Sequence, residues 1–465
     1  MKQRALPWAL AGLFGLSGGT AWADSLGHIY ELALENDASL KAAQATYRAN
    51  LETEKIARSA LLPQVNARAE FQRGDFDQRS ESIFELNNQQ VPSRSDDNRE
   101  SDSRNYTLSL DQTLFDLSAW FSFQSGKKTS REAEAQLAAD QQDLIVRVAE
   151  AYFDVLRAHE NLEAARAEER AAQRQLEQTQ QRFDVGLIAI TDVHEARAVY
   201  DNTVAQRLSF EASKGTAYEA LAVLTGQPHT SISILGESFP ITPPQPAERQ
   251  TWVEFSLKNN YQLKAATFRA ESSHLQAKSR KSDHLPTLTG SLGYRDSHED
   301  GDSVSNLNDS VKPFENETDG STISLQLSVP IYSGGGVSAS RRQAYEQYNA
   351  ALQQKINTQR QVVQQTRSLH LTVSTDVQRV KARKQNIVSA ESALDATKAG
   401  YEVGTRNIVD VLQSQRALYA AIRDYANARF DYIINMLRLK QQAGVLSPDD
   451  IYFLDKWLIS EKAEQ

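Results

Sequence analysis

Eight histidines and 60 carboxylates are the residues from which catalysis or metal binding would have to be built here, and their spacing builds neither. His194-Glu195-Ala196-Arg197-Ala198 opens like the zinc motif of metalloproteases, whose second His lies one helical turn after the first and faces the same metal. Ala198 occupies that place, so half of the nitrogen ligands are missing. Asp296–Asp302 has the acid density of a calcium loop. There His298 interrupts the ligand series, and Leu307 stands where a bidentate Glu must close the shell. Gly334-Gly335-Gly336 lacks the Lys-Ser/Thr that follows in a phosphate loop, and it reads as a turn between strand and helix. With no nucleophile–base pairing in view, the chain does not read as an enzyme, and no cofactor or metal is expected. The absence of cysteine excludes disulfides, thiolate metal sites and a lipid anchor on an N-terminal cysteine.

The charged residues carry a different message. The net charge of −9 argues against nucleic acid as a partner. The acid excess is concentrated in residues 75–103 and 296–319, both rich in Ser, Asn and Asp, and both segments read as solvated loops. They occupy matching positions, because the chain is written twice. Phe183-Asp184-Val185-Gly186-Leu187-Ile188-Ala189-Ile190-Thr191-Asp192-Val193 recurs 218 residues later as Tyr401-Glu402-Val403-Gly404-Thr405-Arg406-Asn407-Ile408-Val409-Asp410-Val411. Ala33–Ala43 likewise returns as Ser256–Ala266, with Asn36-Asp37 replaced by Asn259-Asn260. Solenoid repeats are about 20–50 residues long, so this is a duplicated half-protein instead.

Stepping along the chain, Lys2 and Arg4 precede an apolar stretch that ends at Ala21-Trp22-Ala23, the pattern of a cleaved export signal over residues 1–23. The first repeat then occupies 24–235, a Pro-rich linker 236–251, the second repeat 252–443 and a tail 444–465. Each repeat is expected to run helix, strand, acidic loop, strand, very long helix, turn, long helix. Val65, Ala67, Ala69 and Phe71 alternate with polar residues, as do Tyr106, Leu108, Leu110 and Leu114. Leu288, Leu292 and Tyr294 repeat the pattern, and Ile323, Leu325, Leu327, Val329 and Ile331 complete it. Each run is about ten residues with one apolar face, the length of a tilted membrane strand. Four strands cannot close a barrel, and an open sheet in lipid would leave edge backbone groups unsatisfied. If the strands span a membrane, several chains must pool them.

The rest is helical. Residues 118–186 and 336–403 contain no proline and are dense in Ala, Gln, Glu, Arg and Leu. A helix of that length measures about 100 Å, which suits a structure that crosses a wide aqueous compartment. Gly186 and Gly404 stand where left-handed caps would end these helices, and Thr191 and Asn407 are good N-caps for the next ones.

The paired tips, the strand pairs and the export signal together resemble the TolC family of outer-membrane channel-tunnels, and Leu418-Tyr419 and Ala426-Asn427-Ala428-Arg429-Phe430 extend the match. The resemblance covers essentially the whole chain after the signal. It implies a mostly α protein with a β-barrel portion: a homotrimer pooling twelve strands in the outer membrane, with helical hairpins forming a tunnel through the periplasm. It also implies an exit duct for drugs or secreted proteins, docked by its tips to a periplasmic adaptor (membrane fusion) protein and an inner-membrane transporter. Carried onto matching positions, Tyr401 and Arg406 would link to Thr191 and Asp192 of the neighbouring hairpin, and Asp410 would ring the bore. Gly186, Leu187, Gly404 and Thr405 would form the turns that meet the adaptor. The family's second acid, three residues on, is Gln413 here, which implies weaker cation selectivity. The residues themselves also allow a local role: Asp410 can support a cap at Asn407, and Thr191 and Asp192 can cap or charge-stabilise a helix start. A soluble periplasmic coiled-coil scaffold is the alternative reading of the rods, and it leaves the alternating strands unused.

Overall fold

The structure, a computed structural model, describes residues 24–86, 89–305 and 310–459. The export signal expected over 1–23 lies outside the described residues. In the first repeat α1 (Leu26–Asn36) and α2 (Ala38–Ser59) lead to β1 (Gln64–Leu86) and β2 (Gln89–Phe115). The hairpin of α3 (Leu117–Asp184) and α4 (Ile190–Thr225) follows, then the short β3 (Ile234–Leu235). The second repeat runs α5 (Arg249–Asn259), α6 (Tyr261–Ser282), β4 (Thr287–Ser305), β5 (Ser310–Ser328), α7 (Gly336–Glu402) and α8 (Ile408–Gln442). The chain closes with α9 (Pro448–Asp455) and β6 (Leu458–Ile459). Corresponding helices are nearly equal in length: 11 and 11 residues, 22 and 22, 68 and 67, 36 and 35. The chain divides into two compact units, one of residues 45–136 and 262–358, the other of the remainder.

The first unit holds an antiparallel sheet in the order β1-β2-β4-β5. Its register sets apolar residues side by side across all four strands. Val65 pairs with Leu110, Leu110 with Leu292, and Leu292 with Ile323. Ala67, Leu108 and Tyr294 form the next row. Leu108, Leu292, Tyr294, Ile323, Leu325 and Leu327 are all exposed on that face. The opposite face is polar and internally bonded: Ser291 Oγ donates to Asp111 Oδ1 at 2.7 Å, and Ser297 Oγ to Asn105 Oδ1 at 2.6 Å. Phe71 and Tyr106 meet edge-to-face at 5.9 Å where the apolar band ends, an aromatic girdle of the kind found at membrane interfaces.

Two sequence expectations change here. The strands are 23, 27, 19 and 19 residues long, and the acidic segments 75–103 and 296–319 are, over their described residues, continuous ladder and not loops. Beyond the girdle both faces are wet, so hydrophobic alternation vanishes while the backbone pairing continues. Opposite charges meet across the strands: Arg99 reaches Glu299 at 3.0 Å and stacks on Phe314 at 4.0 Å. Behind the sheet, residues of α3 and α6 in this unit join through hydroxyls. Ser125 and Thr129 each approach Ser272 within 3.0 Å, and Ser118 donates to Asp283 at 2.5 Å. Small hydroxyl side chains let two helices approach while each hydroxyl finds a partner.

The second unit holds the core. Tyr152 and Phe153 of α3, Phe430 and Ile433 of α8, and Leu26 and Ile29 of α1 are fully buried together. The segment expected as a tail is folded: α9 contributes Ile451 and Leu454 to this core, and β6 pairs with β3. The expected linker enters α5 at Arg249. At the N-terminus, His229 Nδ1 lies 2.7 Å from Asp24 Oδ2 and its Nε2 lies 2.7 Å from the Thr225 hydroxyl. This has the order of a catalytic triad, but Thr225 is sealed from solvent and also faces two carbonyl oxygens. It staples Asp24 to the end of α4.

The duplicated break between paired helices explains one sequence difference. Asp37 and Asn260 sit at equivalent breaks, both buried, with their backbone N–H groups donating four residues back. Asp37 caps α2 by accepting from Leu40 N at 2.6 Å and receives both Arg147 guanidinium nitrogens at 3.0 and 3.1 Å. The Arg147 guanidinium holds the Asp37 carboxyl below its ordinary 3.8, against the opposing effect of burial. A depressed carboxyl contributes stability that is present above its unfolded value and lost as pH falls through the folded one. Asp37→Ala should therefore destabilise this unit by about 2–4 kcal/mol near neutrality, discounted for a partly exposed Arg147. The difference from the parent should shrink below pH 4. Asp37→Asn, which imitates the second repeat, should recover the cap alone. Melting curves between pH 3 and 8 measure both, and a parent–variant gap independent of pH would remove the ion pair from the account.

Candidate functional site at the paired hairpin tips

Both tips are built alike. After α3, Gly186 takes φ +79° and Leu187 N donates to Arg182 O at 2.9 Å. After α7, Gly404 takes φ +75° and Thr405 N donates to Gly400 O at 2.8 Å. A six-to-one bond around a left-handed residue is the Schellman ending, and glycine is used because other residues are strained at that φ. Open space surrounds both glycines, so backbone conformation and not crowding requires them. Val185, Leu187 and Val403 project from the turns and are more than two-thirds exposed.

The restarts differ. Asn407 caps α8 in a full capping box: Asp410 N donates to Asn407 Oδ1 at 2.9 Å, and Asn407 N to Asp410 Oδ2 at 3.4 Å. Thr191 is not the cap expected from its residue type. The α4 helix begins at Ile190 after an extended Ala189 that offers no side-chain acceptor. The chain needs only five residues to turn, so Thr191 falls inside the first helical turn, its hydroxyl 3.5 Å from Asp192 Oδ1. Asp192 stands in that first turn, where its charge favours the helix N-terminus.

Arg406, in the turn, reaches Asp410 in the first turn of α8 at 3.8 Å, the arginine exposed and the carboxylate half-buried. Surface pairs of this kind contribute about 0–1 kcal/mol. Among the described residues, no hydrogen bond or ion pair within the chain joins Thr191 or Asp192 to Tyr401 or Arg406. The contact that does join the hairpins was missed in the sequence: the Arg182 guanidinium of the first lies 4.9 Å from the Tyr401 ring of the second. The Tyr401 hydroxyl is buried without a partner. The repeat alignment held a signal for Arg182, because its counterpart is Gly400, whose missing side chain leaves space for Arg406. Further along the hairpins Arg423 pairs with Glu168 at 2.8 Å, both mostly buried. Gln413, in place of a second acid, is exposed.

No helix among the described residues is long and apolar enough to cross a membrane, and no cluster of metal-ligating side chains occurs among them. An apolar-faced sheet joined to helical hairpins with exposed tips defines an outer-membrane channel with a helical tunnel. The outer membrane efflux protein family model matches residues 29–227 and 252–445, one stretch in each repeat, and the chain belongs to that family. It is 37% identical over 450 residues to outer membrane protein TolC of Vibrio cholerae serotype O1, covering 97% of each chain. It is 33% identical to TolC of Escherichia coli K12 over 94% of this chain and 85% of that one. In fold it is similar to the crystal structure of VceC from Vibrio cholerae, with TM-score 0.72 at 20% identity, covering 90% of this chain and 96% of that one. The protein is accordingly an outer-membrane protein with a periplasmic helical portion, in a family of channels and not of enzymes.

Proposed function

We propose that three copies of this chain form one exit duct, with twelve pooled strands closing a barrel and the hairpins closing the periplasmic end. The observation that carries the reading is the sheet. One apolar row, Val65–Leu110–Leu292–Ile323, runs unbroken across all four strands, while β1 and β5 are edges. In lipid an open edge is costly, and pairing β5 of one copy with β1 of the next removes it. Four strands per chain times three reach the size range of membrane barrels.

In this duct the tips are the gate. Arg182 and Tyr401 hold the two hairpins of each chain together, and Arg406 and Tyr401 meet Thr191 and Asp192 of the neighbouring chain. Asp410 contributes one carboxylate per copy to a ring that favours cations. Gln413 leaves that ring single. The exposed Val185, Leu187 and Val403 beside Gly186, Gly404 and Thr405 offer an apolar docking surface to a periplasmic adaptor, and through it to an inner-membrane transporter. The cargo is drugs, secreted proteins or both, passed without chemistry. The mass of the detergent-extracted particle tests the assembly. A trimer recovered from the outer-membrane fraction agrees with it, and a soluble periplasmic monomer or dimer would restore the scaffold reading.

A further inference from the structure

Just behind the tips, α3, α7 and α8 enclose a cleft of about 450 Å3 within the second unit. Its walls carry Arg174 and Arg182 from α3, Lys398 and Glu402 from α7, and Tyr419 from α8. Three cations face one carboxylate, a surplus of two positive charges along an open groove in which Arg174, Lys398 and Glu402 are solvent-exposed. Neither Arg174 nor Lys398 makes an ion pair among the described residues, and Arg182 is engaged only by the neutral ring of Tyr401. Tyr401 lines the same cleft, while its hydroxyl is sealed from solvent and has no partner among the described residues; a buried hydroxyl left so costs about 1–3 kcal/mol. Burial pushes the Tyr419 phenol up, with the Arg174 charge pulling it the other way, so that hydroxyl remains a neutral donor at neutral pH.

We infer that this cleft binds a small anion carrying two or more separated negative charges, of the diphosphate class, bridging the two hairpins of one chain. Arg174 and Arg182 line the cleft from α3 and Lys398 from α7, so an anion with two charged centres can contact more of these cations at once than a single-centred one. Guanidinium forks match phosphoryl oxygens two at a time. Lys398 supplies the countercharge from the opposite hairpin. Glu402 opposes the ligand and sets an upper bound on its affinity.

The test uses the purified full-length protein in detergent, with inorganic pyrophosphate as probe, titrated calorimetrically at constant ionic strength against orthophosphate and chloride. Saturable binding of one pyrophosphate per chain is expected, stronger than for orthophosphate and absent for chloride. Arg174→Gln and Lys398→Gln should each weaken it about tenfold, the loss of one charge-assisted contact. Glu402→Gln should tighten it, a change that general damage to the fold does not produce. No saturable uptake overturns the inference. So does uptake left unaltered by the Arg174→Gln/Lys398→Gln double variant, which would mark an adventitious ion only. Binding is measured whether or not the protein conducts, so this outcome and that of the duct reading are separate.

Discussion

Replacing Arg182 and Tyr401 together by alanine is expected to raise single-channel conductance several-fold. Their contact is the bridge between the two hairpins at the tip of one chain, and Arg182 lies over the Tyr401 ring at 4.9 Å. A partly exposed cation–π pair is worth about 0.5–2 kcal/mol, and in the proposed trimer three copies act on one aperture. Every 1.4 kcal/mol moves a closed–open equilibrium about tenfold, so the summed loss suffices to repopulate an open tip. Arg406→Ala and Asp192→Ala should raise conductance by smaller factors, because within the chain Arg406 spends itself on a surface pair with Asp410. In the proposed duct its role is the contact to the adjacent copy. Bilayer recordings of the four proteins decide. Unchanged conductance in the double variant would mean that the Arg182–Tyr401 contact does not hold the gate, and unchanged conductance in Arg406→Ala would remove that residue from the lock.

The second large effect concerns the sheet. Leu325 sits in the middle of the apolar row of β5, two-thirds exposed, while Gln326 points to the opposite face. An arginine on the lipid face near the bilayer midplane costs about 2–4 kcal/mol, paid once per copy in the assembled barrel. Leu325→Arg should therefore deplete the folded oligomer in the outer membrane severely. Gln326→Arg, one residue away, should leave its amount close to the parent. Quantifying the heat-resistant oligomer in outer-membrane fractions gives the comparison. Equal losses from both variants would mean that the face assigned to lipid is wrong, since neighbouring residues differ in little except the side they face.

How far the sequence could be read depends on which physical signal each element leaves. The long helices were legible nearly to their ends: 118–186 against Leu117–Asp184, and 336–403 against Gly336–Glu402. Strong helix formers, the absence of proline and a glycine at each left-handed cap all point the same way there. The strands were legible only where one face is apolar, along Val65–Phe71 and Leu288–Tyr294. Above the girdle the ladder continues through residues that are polar on both sides, and backbone hydrogen bonding leaves no trace in hydropathy. Asn407 was readable as a cap because its own side chain does the capping. Thr191 was not, because both turns have the same length and the position equivalent to Asn407 is Ala189, which leaves Thr191 inside α4. Arg182 and the His229 staple were hidden for a common reason: their partners lie 219 and 205 residues away in the chain, and nothing local in the sequence reports such a distance. The folded tail was hidden too, since α9 earns its place through Ile451 and Leu454 and not through its own periodicity.

The conductance of the purified protein in a planar bilayer tests the duct most directly. Small, uniform, cation-preferring steps are expected, the signature of a membrane-inserted oligomer closed at its tips by a single acidic ring. A folded, helical protein that neither inserts nor passes current would contradict the account, because the four apolar-faced strands would then have no barrel to form.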